Sequence, residues 1–294
     1  MLNCKIILNP TSGQGVGGSL KTRILSLLNL KEDDIAITQS LQHASELAKD
    51  FAIKGVNPVV ACGGDGILNA VVNGVLEISR SVKIGFIPAG MSNVCANCVG
   101  IPQDFEKAIF VLKKGFSKKI DAGLFEDKRR KIYFISMADF GITAEIVRKA
   151  EKDHNIKRIF GKGAHVFLGA FEFLKKKKNF RVLVEDKFFN VPLAIFSNGK
   201  YWGGALFWDK SIKIDDGEGN LFIFEKLNFF KALKIFSELI RHKNPKVKQF
   251  KTKEFSIEGE KIPFQLDGEF YGFTDRARIQ IIPSCFPIIA QETK

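Results

Sequence analysis

Residues 58–68 read Pro58-Val59-Val60-Ala61-Cys62-Gly63-Gly64-Asp65-Gly66-Ile67-Leu68, and this stretch decides the fold. A short apolar run enters a cluster of glycines with one carboxylate, and Leu68, Val71, Val72 and Val75 then recur on one helical face. The pattern predicts a buried strand, a tight turn and a helix. Glycines let a backbone turn sharply and approach a ligand closely. The N-terminus of the following helix offers free N–H groups and partial positive charge to an anion. Asp65 does not favour a phosphate directly, but it can hold a cation that does. Together these residues suggest a Mg-nucleotide site, although a plain tight turn with an N-terminal carboxylate fits the same letters.

The flanking sequence repeats the alternation. Residues 4–9 predict a strand, followed by the glycine-rich turn of residues 11–18 and a helix with Leu20, Ile24, Leu27 and Leu28 at helical spacing. A strand near residues 35–38 and a helix with Ala44, Leu47, Ala48 and Phe51 come next. After the central helix, a strand at 83–87 runs into the loop Pro88-Ala89-Gly90-Met91-Ser92-Asn93, and a helix over 103–114 starts at Asp104 as N-cap. This is the rhythm of a parallel sheet covered by helices on both faces, whose ligands gather at the C-terminal strand ends.

Near Ile120-Asp121-Ala122-Gly123 the period changes. Short strands are predicted at 131–137, 180–185, 191–197, 221–225, 248–258, 262–266 and 277–282, with turn signals between them. Two helices interrupt this part, one over about 157–178 and one over about 228–242. The expected division is an α/β domain over 1–122 and a mainly β sandwich over 123–283.

The chain has 294 residues, enough for two domains, and is 45% hydrophobic, which excludes a disordered chain. Its net charge of +13 favours an anionic partner: nucleic acid, lipid surface or nucleotide. No signal peptide and no membrane-spanning run is read, and the five cysteines suggest free thiols in a reducing cytoplasm. Cys95 and Cys98 form a lone CxxC without further ligands, so packed thiols are the better reading.

Several motifs fall in a recognisable order. Asn9-Pro10-Thr11-Ser12-Gly13, the segment from Cys62 to Asn73, Ile87-Pro88-Ala89-Gly90-Met91-Ser92-Asn93, Ile120-Asp121, Gly203-Gly204 with Ile214-Asp215-Asp216-Gly217, and Leu266-Asp267-Gly268-Glu269 resemble those of the diacylglycerol kinase catalytic-domain family, which includes bacterial lipid kinases and sphingosine kinases. The resemblance runs from Ile6 to about Gln280. It implies a Rossmann-like nucleotide domain of the phosphofructokinase and NAD-kinase type, a β-sandwich lipid domain, ATP in the cleft between them, and a C-terminal tail of about 284–294 that returns to the first domain. The implied reaction is transfer of the γ-phosphoryl group of ATP to a lipid hydroxyl, diacylglycerol or a related lipid. Phosphoryl transfer needs mainly positioning and charge stabilisation. Asn9, Ser12, Gly13, Gly63, Gly64, Asp65, Gly66, Ser92 and Asn93 are the implied nucleotide-binding residues. Asp267 is the implied base for the lipid hydroxyl, with Glu269 beside it as the second catalytic candidate, although Asp-Gly is by itself a hairpin signal. Asp65 is expected to hold Mg2+, and Asp121, Asp215 and Asp216 resemble a structural Mg2+ and water network.

The family threonine after Gly-Gly-Asp-Gly is Ile67 here, the threonine of the second loop is Met91, and acidic positions are Val94 and Asn220. Either site chemistry is altered, or the chain is a lipid- or nucleotide-binding relative with little turnover. Residues 156–178 and 229–253 combine apolar faces with lysines, which suggests docking to an anionic membrane, although two helices packed on the sandwich with solvated lysine rims fit as well. The expectations are therefore a lipid substrate at an anionic membrane surface, a cytoplasmic and peripheral location, no nucleic-acid partner, and a homodimer as an open possibility because the family is often dimeric. A kinase of soluble nucleotides such as NAD is the nearest alternative. A nucleic-acid-binding module explains the charge but not the motifs.

Overall fold

In β1 (Lys5–Leu8), Ile6 and Leu8 face one apolar layer and Ile7 faces another. A strand buried on both faces belongs in a parallel sheet with helices on either side. The computed structural model, which describes residues 4–12, 17–152, 178–202, 206–207, 209–241, 243 and 245–292, has that arrangement. β1 pairs in parallel with β2 (Ile35–Ile37) and β3 (Val59–Gly63), and β3 with β4 (Ile84–Pro88). α1 (Gly17–Leu28) and α5 (Phe105–Lys114) cover one face; α2 (Leu41–Ile53), α3 (Asp65–Leu76) and α4 (Val94–Val99) cover the other. The helix starts follow from side-chain caps: Ser40 accepts from the His43 amide at 3.0 Å and Asp104 from the Lys107 amide at 2.9 Å. α2 and α3 approach so closely that a Cβ on Gly74 would stand 2.1 Å from the Ser45 carbonyl oxygen.

The rest of the chain is mainly antiparallel. It comprises β5 (Ser117–Glu126), β6 (Lys131–Phe134), β7 (Met137–Gly141), α6 (Ile142–Lys152), β8 (Phe180–Val184), β9 (Lys187–Val191), β10 (Leu193–Ser197), the short β11 (Tyr201–Trp202) and β12 (Leu206–Phe207), β13 (Gly219–Phe224), α7 (Phe229–Ile240), β14 (Lys248–Thr252), β15 (Glu254–Leu266) and β16 (Glu269–Ile289). Its core is built from phenylalanine: Phe125, Phe134, Phe140, Phe196 and Phe264 are fully buried, and the rings of Phe125 and Phe264 stack with centroids 4.3 Å apart. The outer face of β10 and β13 is covered by α6 and α7.

The two parts share one hydrogen-bonded sheet, in the order β14-β13-β10-β7-β15-β16-β4-β3-β1-β2. β16 makes the join. Its first half pairs with β15. Its second half pairs with β5, and beyond a register break between Ile282 and Phe286 its Ile288 lies parallel to Ile84 of β4. Where the sequence suggested a strand over 277–282, the strand is 21 residues long, because Pro283 and Ser284 kink it at the break without ending it. The change of period near residue 120 falls inside β5, whose Asp121 and Gly123 interrupt the apolar pattern. The helix expected over 157–178 lies almost wholly outside the described residues, whereas α6, which sequence reading passed over, buries Ile142, Ile146 and Ala150 at four-residue spacing. No helix among the described residues is long and apolar enough to cross a membrane.

Candidate active site

The C-terminal ends of β1, β3 and β4 carry the glycine loops to one edge. After β1, Asn9 Oδ1 accepts from the amide and hydroxyl of Thr11 at 3.1 and 2.9 Å, and the Asn9 amide donates to the Cys62 carbonyl at 3.0 Å. Ser12 is buried, and a Cβ on Gly63 would stand 3.0 Å from its hydroxyl. Gly13 lies outside the described residues. Gly64 is the N-cap of α3 and offers no side-chain oxygen to the helix amides. A Cβ on Gly90 would stand 2.6 Å from the Gly64 Cα, so the two loops meet backbone to backbone, and the Ala89 amide donates to the Gly63 carbonyl at 2.7 Å.

Asp65 fixes this pair of loops. Its two oxygens accept from the amides of Val94 and Cys95 at 2.8 and 2.9 Å, so a carboxylate in the first turn of α3 caps the start of α4. Burial pushes its carboxyl up to about 6 against the pull of those amides. Asn93, expected to face phosphate or nucleotide, has a left-handed backbone with φ +43° and turns inward. Its Oδ1 accepts from the Gly90 amide and its Nδ2 donates to the Gly90 carbonyl, each at 3.0 Å, and to Gln103 at 2.9 Å. These contacts hold the loop shape. Ser92 is exposed on the same loop.

The second component comes from the turn between β15 and β16. Asp267 and Gly268 have φ of +50° and +89°, the left-handed pair that a two-residue hairpin turn demands. Asp267 is buried, and donors converge on it from three elements. Oδ1 accepts from the Ser136 amide at 2.7 Å, the Ser136 hydroxyl at 2.8 Å and the Met137 amide at 3.1 Å. Oδ2 accepts from the Ile135 amide at 2.7 Å and from Asn69 Nδ2 of α3 at 2.8 Å. A carboxylate has about four lone-pair sites, so this one is fully engaged. Of these donors the Ser136 hydroxyl, on Oδ1, and the Asn69 amide, on Oδ2, are side-chain groups that can leave by rotation. Glu269 extends onto α3: a Cβ on Gly66 would meet its Oε1 at 2.7 Å. The catalytic candidates therefore lie against the glycine-led helix start.

Asn69, Asn73, Ser136 and Tyr271 were missed in the sequence. Asn69 is buried and accepts from the Tyr271 hydroxyl at 3.0 Å while holding Asp267. Burial and the two nearby carboxylates of Asp267 and Glu269 raise the Tyr271 hydroxyl well above its ordinary range. The available signal was Asp65, Asn69 and Asn73 at four-residue spacing on an otherwise apolar helix, which places polar groups on one inward stripe.

Of the aspartates expected to hold metal, Asp121 lies against the turn that carries Asp215 and Asp216, while Asp65 has partners of its own at the start of α4. Asp121 is buried and braces the β region: its oxygens accept from the amides of Ser284 at 2.7 Å and Gly217 at 2.6 Å. Asp215 is exposed, and Asp216 pairs with Lys251 at 3.1 Å. Among the described residues no three His, Cys, Asp or Glu side chains converge on a point that would hold a metal ion. Gly203 and Gly204 lie outside the described residues. Of the departures noted in sequence, Ile67 is buried in the α/β core, Val94 is buried and donates its amide to Asp65, Asn220 accepts from Gln249 at 2.8 Å, and Met91 stands 70% exposed on the second loop.

A parallel α/β part followed by an antiparallel β region, with an acidic turn of the second set on a glycine-led helix of the first, defines a class of two-part kinase folds. The diacylglycerol kinase catalytic domain matches residues 3–125. Over 279 residues the chain is 31% identical to a diacylglycerol kinase of Staphylococcus carnosus, covering 91% of this chain and 89% of that protein. It is likewise 31% identical over 283 residues to one of Staphylococcus epidermidis, covering 91% and 86%. The chain belongs to the diacylglycerol kinase catalytic-domain family. Its fold is similar to the crystal structure of a diacylglycerol kinase from Bacillus anthracis, with TM-score 0.77 at 21% identity over 99% of this chain and 97% of that one. It is more distantly similar to an NAD kinase from Archaeoglobus fulgidus solved in complex with ATP, with TM-score 0.53 at 13% identity over 98% and 94%.

Proposed function

We propose that this protein is an ATP-dependent lipid kinase that transfers the γ-phosphoryl group to the hydroxyl of diacylglycerol or a related lipid. The observation that carries the reading is the placement of Asp267 and Glu269 against the N-terminal half of α3, through Asn69 and Gly66. The glycine loops suit ATP: a side chain on Gly90 would press on the backbone of Gly64, and the start of α3 presents amides to phosphate oxygens. ATP supplies the phosphoryl group; the chain supplies position. Asn93 and Asp65 hold the two loops at fixed spacing. The lipid hydroxyl takes the place of the Ser136 hydroxyl as donor to Asp267 Oδ1; its proton passes to that oxygen as its oxygen bonds to the γ-phosphorus of ATP, and the bond from that phosphorus to the β-phosphate oxygen breaks to release ADP. Glu269 lies beside Gly66 as the second carboxylate of the site. Among the described residues no protein-held Mg2+ cage is formed, so no step is assigned to the metal.

The relatives named diacylglycerol kinase make that lipid the first acceptor to test. The protein is incubated with γ-labelled ATP and Mg2+ against diacylglycerol, sphingoid bases, glycerophospholipids and NAD. Label in a lipid is the expected result. Label in NAD alone would replace the reading with that of a soluble-nucleotide kinase, and no label in any acceptor would make the chain a binding relative.

A further inference from the structure

A different part of the surface carries both charge and exposed apolar side chains. α7 buries Ile235 and Leu239 in the core that covers β10 and β13. On its outer stripe Phe230 is 78% and Leu233 52% exposed, flanked by the exposed Lys231 and Lys234. Beside the start of this helix, between the end of β13 and the start of β14, lies an open cleft of about 270 Å3 walled by Lys226, Lys231, Lys246 and Lys248. Its one acid, Glu225, is paired with Lys248 at 3.1 Å. The cleft therefore keeps an excess of positive charge immediately beside two apolar side chains.

We propose that this surface docks on an anionic phospholipid bilayer, with head-group phosphates in the lysine cleft and Phe230 and Leu233 set into the interface. The inference gives the proposed lipid kinase its membrane contact and rests on that reading. Charge complementarity selects the occupant. Each lysine near an anionic surface strengthens binding by roughly fivefold, and apolar side chains set at the acyl boundary add to it. A nucleic acid matches the lysines but leaves Phe230 and Leu233 in water. A second copy of this chain, meeting the same patch about a two-fold axis, brings like charges together.

The test is co-sedimentation of the full chain with vesicles of phosphatidylglycerol and phosphatidylcholine, and with phosphatidylcholine alone. Wild type is expected to bind the anionic vesicles, to release them at high salt, and to bind neutral ones weakly. The combined variant Lys226→Gln, Lys231→Gln, Lys246→Gln is expected to bind anionic vesicles about a hundredfold more weakly. Phe230→Ser with Leu233→Ser is expected to bind about tenfold more weakly, and Lys113→Gln with Lys114→Gln, on α5, to bind as wild type. Thermal melting checks that each variant folds, and these exposed positions are expected to leave it unchanged. Wild-type binding that ignores lipid charge, a lysine variant that binds like wild type, or a dimer in solution that Phe230→Ser dissociates would overturn the proposal. Binding is read without ATP, so a failed kinase assay and a failed docking surface are told apart.

Discussion

Asp267 and Asp139 are both buried carboxylates, and their surroundings give them opposite consequences. Asp267 is met by donors from Ser136, Met137, Ile135 and Asn69, so replacing it leaves several buried N–H groups without an acceptor. Loss of activity in an Asp267 variant thus reports folding as much as chemistry. Asp139, on β7, is 2% exposed; Trp202 donates to its Oδ2 at 3.4 Å, and its Oδ1 has no hydrogen-bond partner among the described residues. Burial pushes its carboxyl up to about 6, against the opposing influence of Gln265, Thr143 and Trp202. A carboxyl raised in this way binds its proton more tightly in the folded chain than in the unfolded one. Its contribution to stability is complete below about pH 4 and is lost as the pH rises through about 6. Asp139→Asn, which cannot ionise, is therefore expected to be more stable than wild type at pH 7.5, by up to about 3 kcal/mol, and to lose most of that advantage by pH 4.5. Equal pH dependence of melting in the two proteins would contradict this assignment.

At the scale of elements, the strand–glycine–helix unit of β3 and α3 was legible because its two apolar periods differ and the glycines separate them. The facing loop after β4 was legible as a motif, but not its internal wiring. Asn93 reads as a ligand group in sequence and is a loop brace in the structure, because its left-handed backbone turns the amide onto Gly90. Asp65 reads as a cation ligand and caps α4, since that short helix begins where its carboxylate stands. The partners of Asp65 are about thirty positions away, so spacing could not reveal them, and the turn of Asn93 onto Gly90 depends on a left-handed backbone that the letters do not announce. The close contact of Gly64 and Gly90 gives the unit a sharp test. In Gly90→Ala the new Cβ stands 2.6 Å from the Gly64 Cα and 2.7 Å from Asn93 Oδ1, which forces the loops apart. ATP affinity measured by calorimetry is expected to fall by about tenfold or more while the melting temperature drops by only a few degrees, since the strain of about 1–3 kcal/mol is confined to an exposed edge. Unchanged affinity would remove the cradle from the account.

For the molecule as a whole, the parallel α/β part and the antiparallel part were readable from the change of period, and the shared sheet was not. The second half of β16 carries two prolines and a bulge, and its pairing with β5 and β4 joins residues more than a hundred positions apart. That join brings the Asp267–Gly268 turn onto α3 and makes one site from motifs at both ends of the chain. The assembled site is proposed to transfer the γ-phosphoryl group of ATP to a lipid hydroxyl. The most direct test is the initial rate of label transfer from γ-labelled ATP to diacylglycerol in mixed micelles, for wild type and Glu269→Gln. Glu269 is partly exposed and lies against Gly66, so the substitution is expected to leave the fold intact. The account predicts measurable transfer by wild type and a loss of a hundredfold or more in the variant, in line with removal of one group from an acid–base site. Transfer that survives undiminished in Glu269→Gln, or its absence from a folded wild type that binds ATP, would contradict it.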